Sequence, residues 1–181
     1  NDISGFRAPE ARAAVAASDA GVVTMHMLGD SPATMQADPR YGDVVAEVGQ
    51  FLLESRAALM AAGVAPERIC LDPGFGFGKT LAHNLALYRG IPGWAQVAPV
   101  LVGVSRKSML GAITGQPVDR RLPASLAAAL AGVQAGATIV RVHDVPETAQ
   151  ALAVWVATGL PAMRAGSVHN AAGQTGHTAE E

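Results

Sequence analysis

Four short apolar runs alternate along the chain with stretches of helical spacing. The runs are GVVTMHM (21–27), RICLD (68–72), APVLVGV (98–104) and ATIVRVH (137–143). They are rich in β-branched residues and nearly continuous in apolar character, which predicts strands buried on both faces of a parallel sheet. Between the first two, Val44, Val48, Phe51, Leu52 and Leu59 recur at helical spacing, and Gly63 stands where a C-terminal cap belongs. A second helix is expected after Pro123, stopping at Gly136. A third follows Asp144, with Glu147 at capping-box spacing and Pro146 in the first turn. The connection after Asp72 leaves room for one short helix near 84–88.

Strand–helix units repeating every ~40 residues indicate an α/β array, either a barrel or an open doubly wound sheet. The polar residues favour the barrel. His26, Asp72, Ser105 with Lys107, and Arg141 with His143 all fall at or just beyond strand C-terminal ends. In a (β/α)8 barrel those ends converge on one mouth, whereas an open sheet would spread them along a crevice. Beyond Leu160 the apolar periodicity stops. Residues 1–160 are therefore expected to form one domain and 161–181 a flexible tail, in which His169 and His177 are solvated rather than ligands.

Composition narrows the function. Half of the 181 residues are apolar and 15% are charged, which excludes a disordered chain. A net charge of −2 and an aromatic content of 4% give no footprint for nucleic acid. No apolar stretch reaches the ~18 residues of a membrane helix, so no membrane partner is expected. The opening NDISGFRAPE has no basic leader and no apolar core of a signal peptide. It also lacks an initiator Met, and the chain reads as beginning inside a longer sequence. The lone Cys70 fits a reducing, cytoplasmic setting.

Four motifs carry candidate chemistry. In LDPGFGFGKT a carboxylate, Asp72, leaves a buried strand into a run of glycines, Gly74, Gly76 and Gly78. Glycine lets the backbone approach a flat ligand closely and adopt positive φ at little cost. Asp72 could accept adjacent N–H groups from an aminated heterocycle. A phosphate P-loop fails on spacing, because Pro73 stands where its first glycine belongs. A glycine-rich turn without a ligand is the plain alternative. In LVGVSRKSMLG, Arg106 and Lys107 precede Ser108 at the start of a helix, an anion-receptive corner or merely a solvated one. In IVRVHDV, Arg141 and His143 are two apart and point the same way in a strand, suiting phosphate oxygens or simply capping the core. Met25, His26 and Met27 could wall a flat heterocycle or serve as ordinary core residues. Asn1 offers an amide for a base-like edge.

NDISGF, MHM with SPATMQ, DPGFGFGKT with His83 and Asn84, LVGVSRKSMLG and IVRVHDV occur in one order. Over roughly residues 1–158 that order and spacing closely resemble the dihydropteroate synthase family, in which DPGFGFGKT and GVSRKS are highly specific. The resemblance implies a partial TIM (β/α)8 barrel holding strands 5 to 8 and the end of strand 4, and a cytoplasmic enzyme that is a homodimer when full length. It implies that 6-hydroxymethyl-7,8-dihydropterin pyrophosphate condenses with p-aminobenzoate to give 7,8-dihydropteroate and pyrophosphate, in folate biosynthesis and as a sulfonamide target. Asn1, Met27, Asp72, Gly103 and Lys107 would meet the pterin, Arg141 and His143 the pyrophosphate, and Phe77 and Ser108 the p-aminobenzoate. Lys107, Arg141 and His143 would be the catalytic residues. The family's Mg²⁺ ligand, its TPDSF and STRP loops and its early aspartate have no counterpart here. Leu28 replaces a residue that is polar in many relatives. The chain is thus expected to lack strands one to three, to be inactive alone and to associate through an open sheet edge. A methyltetrahydrofolate methyltransferase shares the barrel, but SRKS argues against a reaction with neither pyrophosphate nor aminobenzoate. A non-catalytic pterin-binding paralogue is the alternative from another class.

Overall fold

The computed structural model describes residues 1–159. The tail expected at 161–181, with His169 and His177, lies outside the described residues. All four apolar runs contain a strand: β1 (Val22–Met25), β2 (Ile69–Asp72), β3 (Leu101–Val102) and β4 (Ile139–Val140). Every pairing is parallel, β1 beside β2 with Met25 opposite Asp72, and β3 beside β4 with Val102 opposite Val140. The four strands form two pairs, joined by one parallel bridge from Leu71 to Val100. A second bridge, Asp2 to Thr24, lays the first residues along the other side of β1.

The strands are shorter than the apolar runs that predicted them. Pro99 and Val100 precede β3 without joining its ladder, although Pro99 O accepts from Leu71 N at 2.9 Å. Proline has no N–H to return, so the pairing there is one-sided. The expectation of burial on both faces holds for β2 and β3 and fails for β4, where Ile139 is 42% exposed. Among the described residues no strand lies beyond β4, so its outer edge is open.

Helix α2 (Val44–Ala61) follows β1 and buries Val44, Val48, Leu52 and Leu59, as their spacing requires. Asp43 caps it, its carboxylate accepting from Val45 N and Ala46 N at 3.0 Å each, and Gly63 ends it at φ 99°. Helix α3 (Leu81–Trp94) is far longer than the 84–88 segment expected. It runs through Gly90, Pro92 and Gly93. Gly90 is needed for packing, because a Cβ there would come within 2.8 Å of Val45 on α2. Short α4 (Ser108–Thr114) and α5 (Leu122–Gln134) follow β3, with Pro123 in the first turn of α5 and Gly136 just past its end. Helix α6 (Val145–Ala157) carries Pro146 in its first turn as expected, but Asp144 does not cap it. That carboxylate is taken by Arg106. Helix α1 (Pro9–Ala16) was not expected; it fully buries no residue, and only Ala11, Val15 and Ala16 pack against the core.

The main core lies between the sheet and α2, α3 and α4, around Leu52, Leu71, Phe75, Leu87, Ile91 and Val100. A smaller cluster of Phe6, Val22, Leu59, Val64 and Ile69 closes the N-terminal ends of β1 and β2. With that end sealed, the C-terminal ends of all four parallel strands share the opposite rim.

Candidate active site

Asp72 is the last residue of β2 and only 3% exposed. Its Oδ1 accepts from Gly74 N at 2.8 Å and its Oδ2 from Asn1 Nδ2 at 3.4 Å. The turn that follows has to be glycine. Gly74 sits at φ 67°, and a Cβ there would lie 1.9 Å from His26 O. Gly76 and Gly78 also take positive φ, and Asn84 on α3 accepts from Gly76 N at 2.8 Å, tying the loop to its helix.

Lys107 stands one loop away, after β3. Its Nζ donates to Phe75 O and lies 4.8 Å above the Phe77 ring. Burial pulls its pKa down to about 8; the nearby Asp72 carboxylate opposes that and Arg141 adds to it. The preceding Arg106 has φ 60°, a left-handed conformation costly for a side chain of its size. Three anchors hold it there: Arg106 N donates to Ser125 Oγ at 3.0 Å, Arg106 O accepts from Arg121 at 2.9 Å, and its guanidinium pairs with Asp144.

Arg141 and His143 follow β4 rather than lying within it, as the longer expected strand required. Both still face one cavity of about 650 Å³, shared with Gly103, Ser105, Arg106 and Lys107. The Arg141 guanidinium rests on Gly103, where a Cβ would approach it to 3.2 Å. Ser105 Oγ lies 3.1 Å from His143 Nδ1 and also accepts from His143 N at 3.3 Å. The rim therefore joins Lys107, Arg141, His143 and Gly103 around one space, Asp72 to Asn1 by a hydrogen bond, and Phe77 to Lys107 by a cation–ring contact. Met27 is buried just past β1, and Ser108 is exposed at the start of α4. Such a place can hold an anion against cations beside a buried acceptor. Among the described residues no three His, Cys, Asp or Glu side chains gather to hold a metal ion. No described helix is long and apolar enough to cross a membrane.

Sequence reasoning passed over Lys79. It is 2% exposed, and its Nζ lies 3.0 Å from His26 Nδ1 while donating to Phe77 O at 3.0 Å and His26 O at 3.4 Å. Burial lowers its pKa to about 7 and, with Lys79 itself, lowers that of His26 to about 3. The signal was present as a lysine next to the glycine run, but the failed P-loop spacing left it without a role.

Residues 1–143 match the family model described as pterin binding enzyme. The chain belongs to that family. Among curated pterin-binding relatives, the dihydropteroate synthase of Neisseria meningitidis serogroup B is 53% identical over 148 residues, 79% of this chain and 52% of the relative. The crystal structure of Burkholderia cenocepacia dihydropteroate synthase is 50% identical with a TM-score of 0.82, covering 88% of this chain and 62% of that one. The Xanthomonas albilineans synthase in complex with 7,8-dihydropteroate is 44% identical with a TM-score of 0.80, covering 89% of this chain and 59% of that one. This pterin-binding chain spans about half the length of the curated relatives it matches.

Proposed function

We propose that this chain forms the C-terminal side of a dihydropteroate synthase barrel, strands 5 to 8 with the end of strand 4, and carries most of its pterin and pyrophosphate contacts. The observation that carries this reading is the single cavity lined by Lys107, Arg141 and His143, with the buried Asp72 acting on the same lysine. Dihydropteroate bound to the Xanthomonas albilineans relative supports the choice of ligand.

In this reading Asp72 and Asn1 accept and donate along the aminated edge of the pterin, with Met27 and Gly103 beside the ring. The C–O bond between the pterin methylene and pyrophosphate breaks, and its electron pair leaves on the pyrophosphate oxygen. Arg141, His143 and Lys107 stabilise that growing negative charge in a preorganised setting. The Asp72 carboxylate favours the positive charge left on the pterin system. Phe77 and Ser108 hold p-aminobenzoate, Ser108 toward its carboxylate, and the aminobenzoate nitrogen then bonds to the methylene and releases a proton. Among the described residues no three His, Cys, Asp or Glu side chains gather to hold the Mg²⁺ that the family resemblance implies, and no step is routed through it. The Lys107 and Arg141 side chains on one cavity also favour a substrate with an anionic leaving group over methyl transfer. Homodimerisation belongs to the same proposal and is tested by sedimentation.

The test is steady-state synthesis, with each substrate varied, by the chain alone and by the chain joined to the N-terminal half of a dihydropteroate synthase. The fused form is expected to turn over and the chain alone is not. In the fused form Asp72→Ala should weaken a pterin analogue by about 30-fold or more, the loss expected for a charged hydrogen-bonding partner at a desolvated site. Ser108→Ala should raise the KM for p-aminobenzoate and leave that for the pterin within about twofold. Normal pterin affinity in the Asp72→Ala protein would remove the central residue from the proposal.

A further inference from the structure

The buried Lys79 side chain contacts no carboxylate among the described residues. An ammonium group has three N–H donors. Lys79 Nζ has three acceptors in reach, His26 Nδ1 and Phe77 O at 3.0 Å and His26 O at 3.4 Å. With Lys79 protonated, the count closes when His26 is neutral with its proton on Nε2, and the fall of the His26 pKa to about 3 agrees with a neutral ring.

These contacts bind two separate parts of the rim. His26 follows β1, and Phe77 belongs to the glycine loop after β2. The main chain of Lys79 makes a further attachment: Lys79 N donates to Gln36 Oε1 at 3.0 Å, and Gln36 Nε2 returns to Lys79 O at 3.4 Å. Tyr41 OH donates to Gly78 O at 3.0 Å. The loop between β1 and α2 and the glycine loop are thus latched together at residues 78 and 79. A run with positive φ at Gly74, Gly76 and Gly78 has little intrinsic stiffness, so its shape has to come from such contacts.

We propose that Lys79 is a positioning residue for the reaction above. By gripping Phe77 O and His26 together it fixes the Phe77 ring beneath the Lys107 ammonium, and so shapes the place of the second substrate. The inference rests on the synthase reading but concerns a residue that this reading leaves without a role. Phe77 is the link: its carbonyl is held by Lys79 and its ring lies 4.8 Å from Lys107 Nζ.

The test compares Lys79→Met, His26→Leu and His26→Asn with the unaltered protein, in the form that turns over. Asn places a polar acceptor near the position of Nδ1, whereas Leu places none. Lys79→Met and His26→Leu are expected to raise the KM for p-aminobenzoate about tenfold, while the KM for the pterin pyrophosphate changes less than about twofold. His26→Asn should recover most of the loss. A second measurement needs no turnover: ¹⁵N NMR of the His26 ring should show Nδ1 as a hydrogen-bonded acceptor, and Lys79→Met should shift that signal. An active Lys79→Met protein with both KM values unchanged, or raised equally, overturns the inference, and so does a His26 signal indifferent to Lys79. A fused form without turnover, with no residue substituted, sinks the synthase reading instead, so the two failures are told apart.

Discussion

Lys79→Met should remove a pH dependence from folding stability whose sign and size follow from burial. Lys79 is 2% exposed and its pKa falls from 10.5 to about 7, with desolvation the main cause and the Asp72 carboxylate opposing it. Between those two values the unfolded chain holds a proton that the native chain has lost, so stability rises with pH. Below about 7 both states are protonated, and the full cost of burying the charge is present. One such group changes stability by about 1.4 kcal/mol per pH unit inside its window. The difference between the unaltered protein and Lys79→Met should therefore grow by about 1.4 kcal/mol per unit from pH 7 to 9, in favour of the unaltered protein. Lys107, pulled to about 8, adds a rise of its own above pH 8 that both proteins share. Cys70, pushed up to about 11, and Tyr41, pushed up to about 12, act in the opposite direction above their ordinary values of 9.0 and 10.0, which sets the upper end of the range. The variant leaves His26 O and Phe77 O short of a donor, a loss of about 1–3 kcal/mol each that shifts the difference but not its slope. Urea unfolding at pH 6, 7, 8 and 9, extrapolated to water, measures it. A difference that stays flat from pH 7 to 9 would refute the reasoning, since Lys79 would then keep its ordinary pKa in the native state.

Two further outcomes test the rim. Gly74→Ala forces a Cβ to 1.9 Å from the His26 backbone oxygen at φ 67°, and should cost about 3 kcal/mol or more in urea unfolding. Gly103→Ala meets only the Arg141 side chain, at 3.2 Å, which can give way; stability should change by less than about 1 kcal/mol while pyrophosphate binding, followed by calorimetry, weakens about fivefold.

The alternation of apolar runs with helical spacing was enough, in sequence alone, to establish a parallel βα array and to put Asp72, Lys107, Arg141 and His143 at strand ends. Parallel strands buried on both faces leave a strong local mark, because every residue of the run must be apolar. The run DPGFGFGKT was legible for a different reason: its glycines answer a local demand, the positive φ at Gly74, Gly76 and Gly78. What depends on residues distant in sequence was not legible. The strands stop short of their apolar runs because pairing depends on the neighbouring strand, and β4 is exposed because the described residues offer it no outer neighbour. Helix α3 runs through Gly90 because α2 crosses there. Asp144 leaves the end of α6 because Arg106, 38 positions away, takes its carboxylate. Lys79 gains its place only when the loop folds back on His26, 53 positions distant, where burial changes the charge it carries at neutral pH.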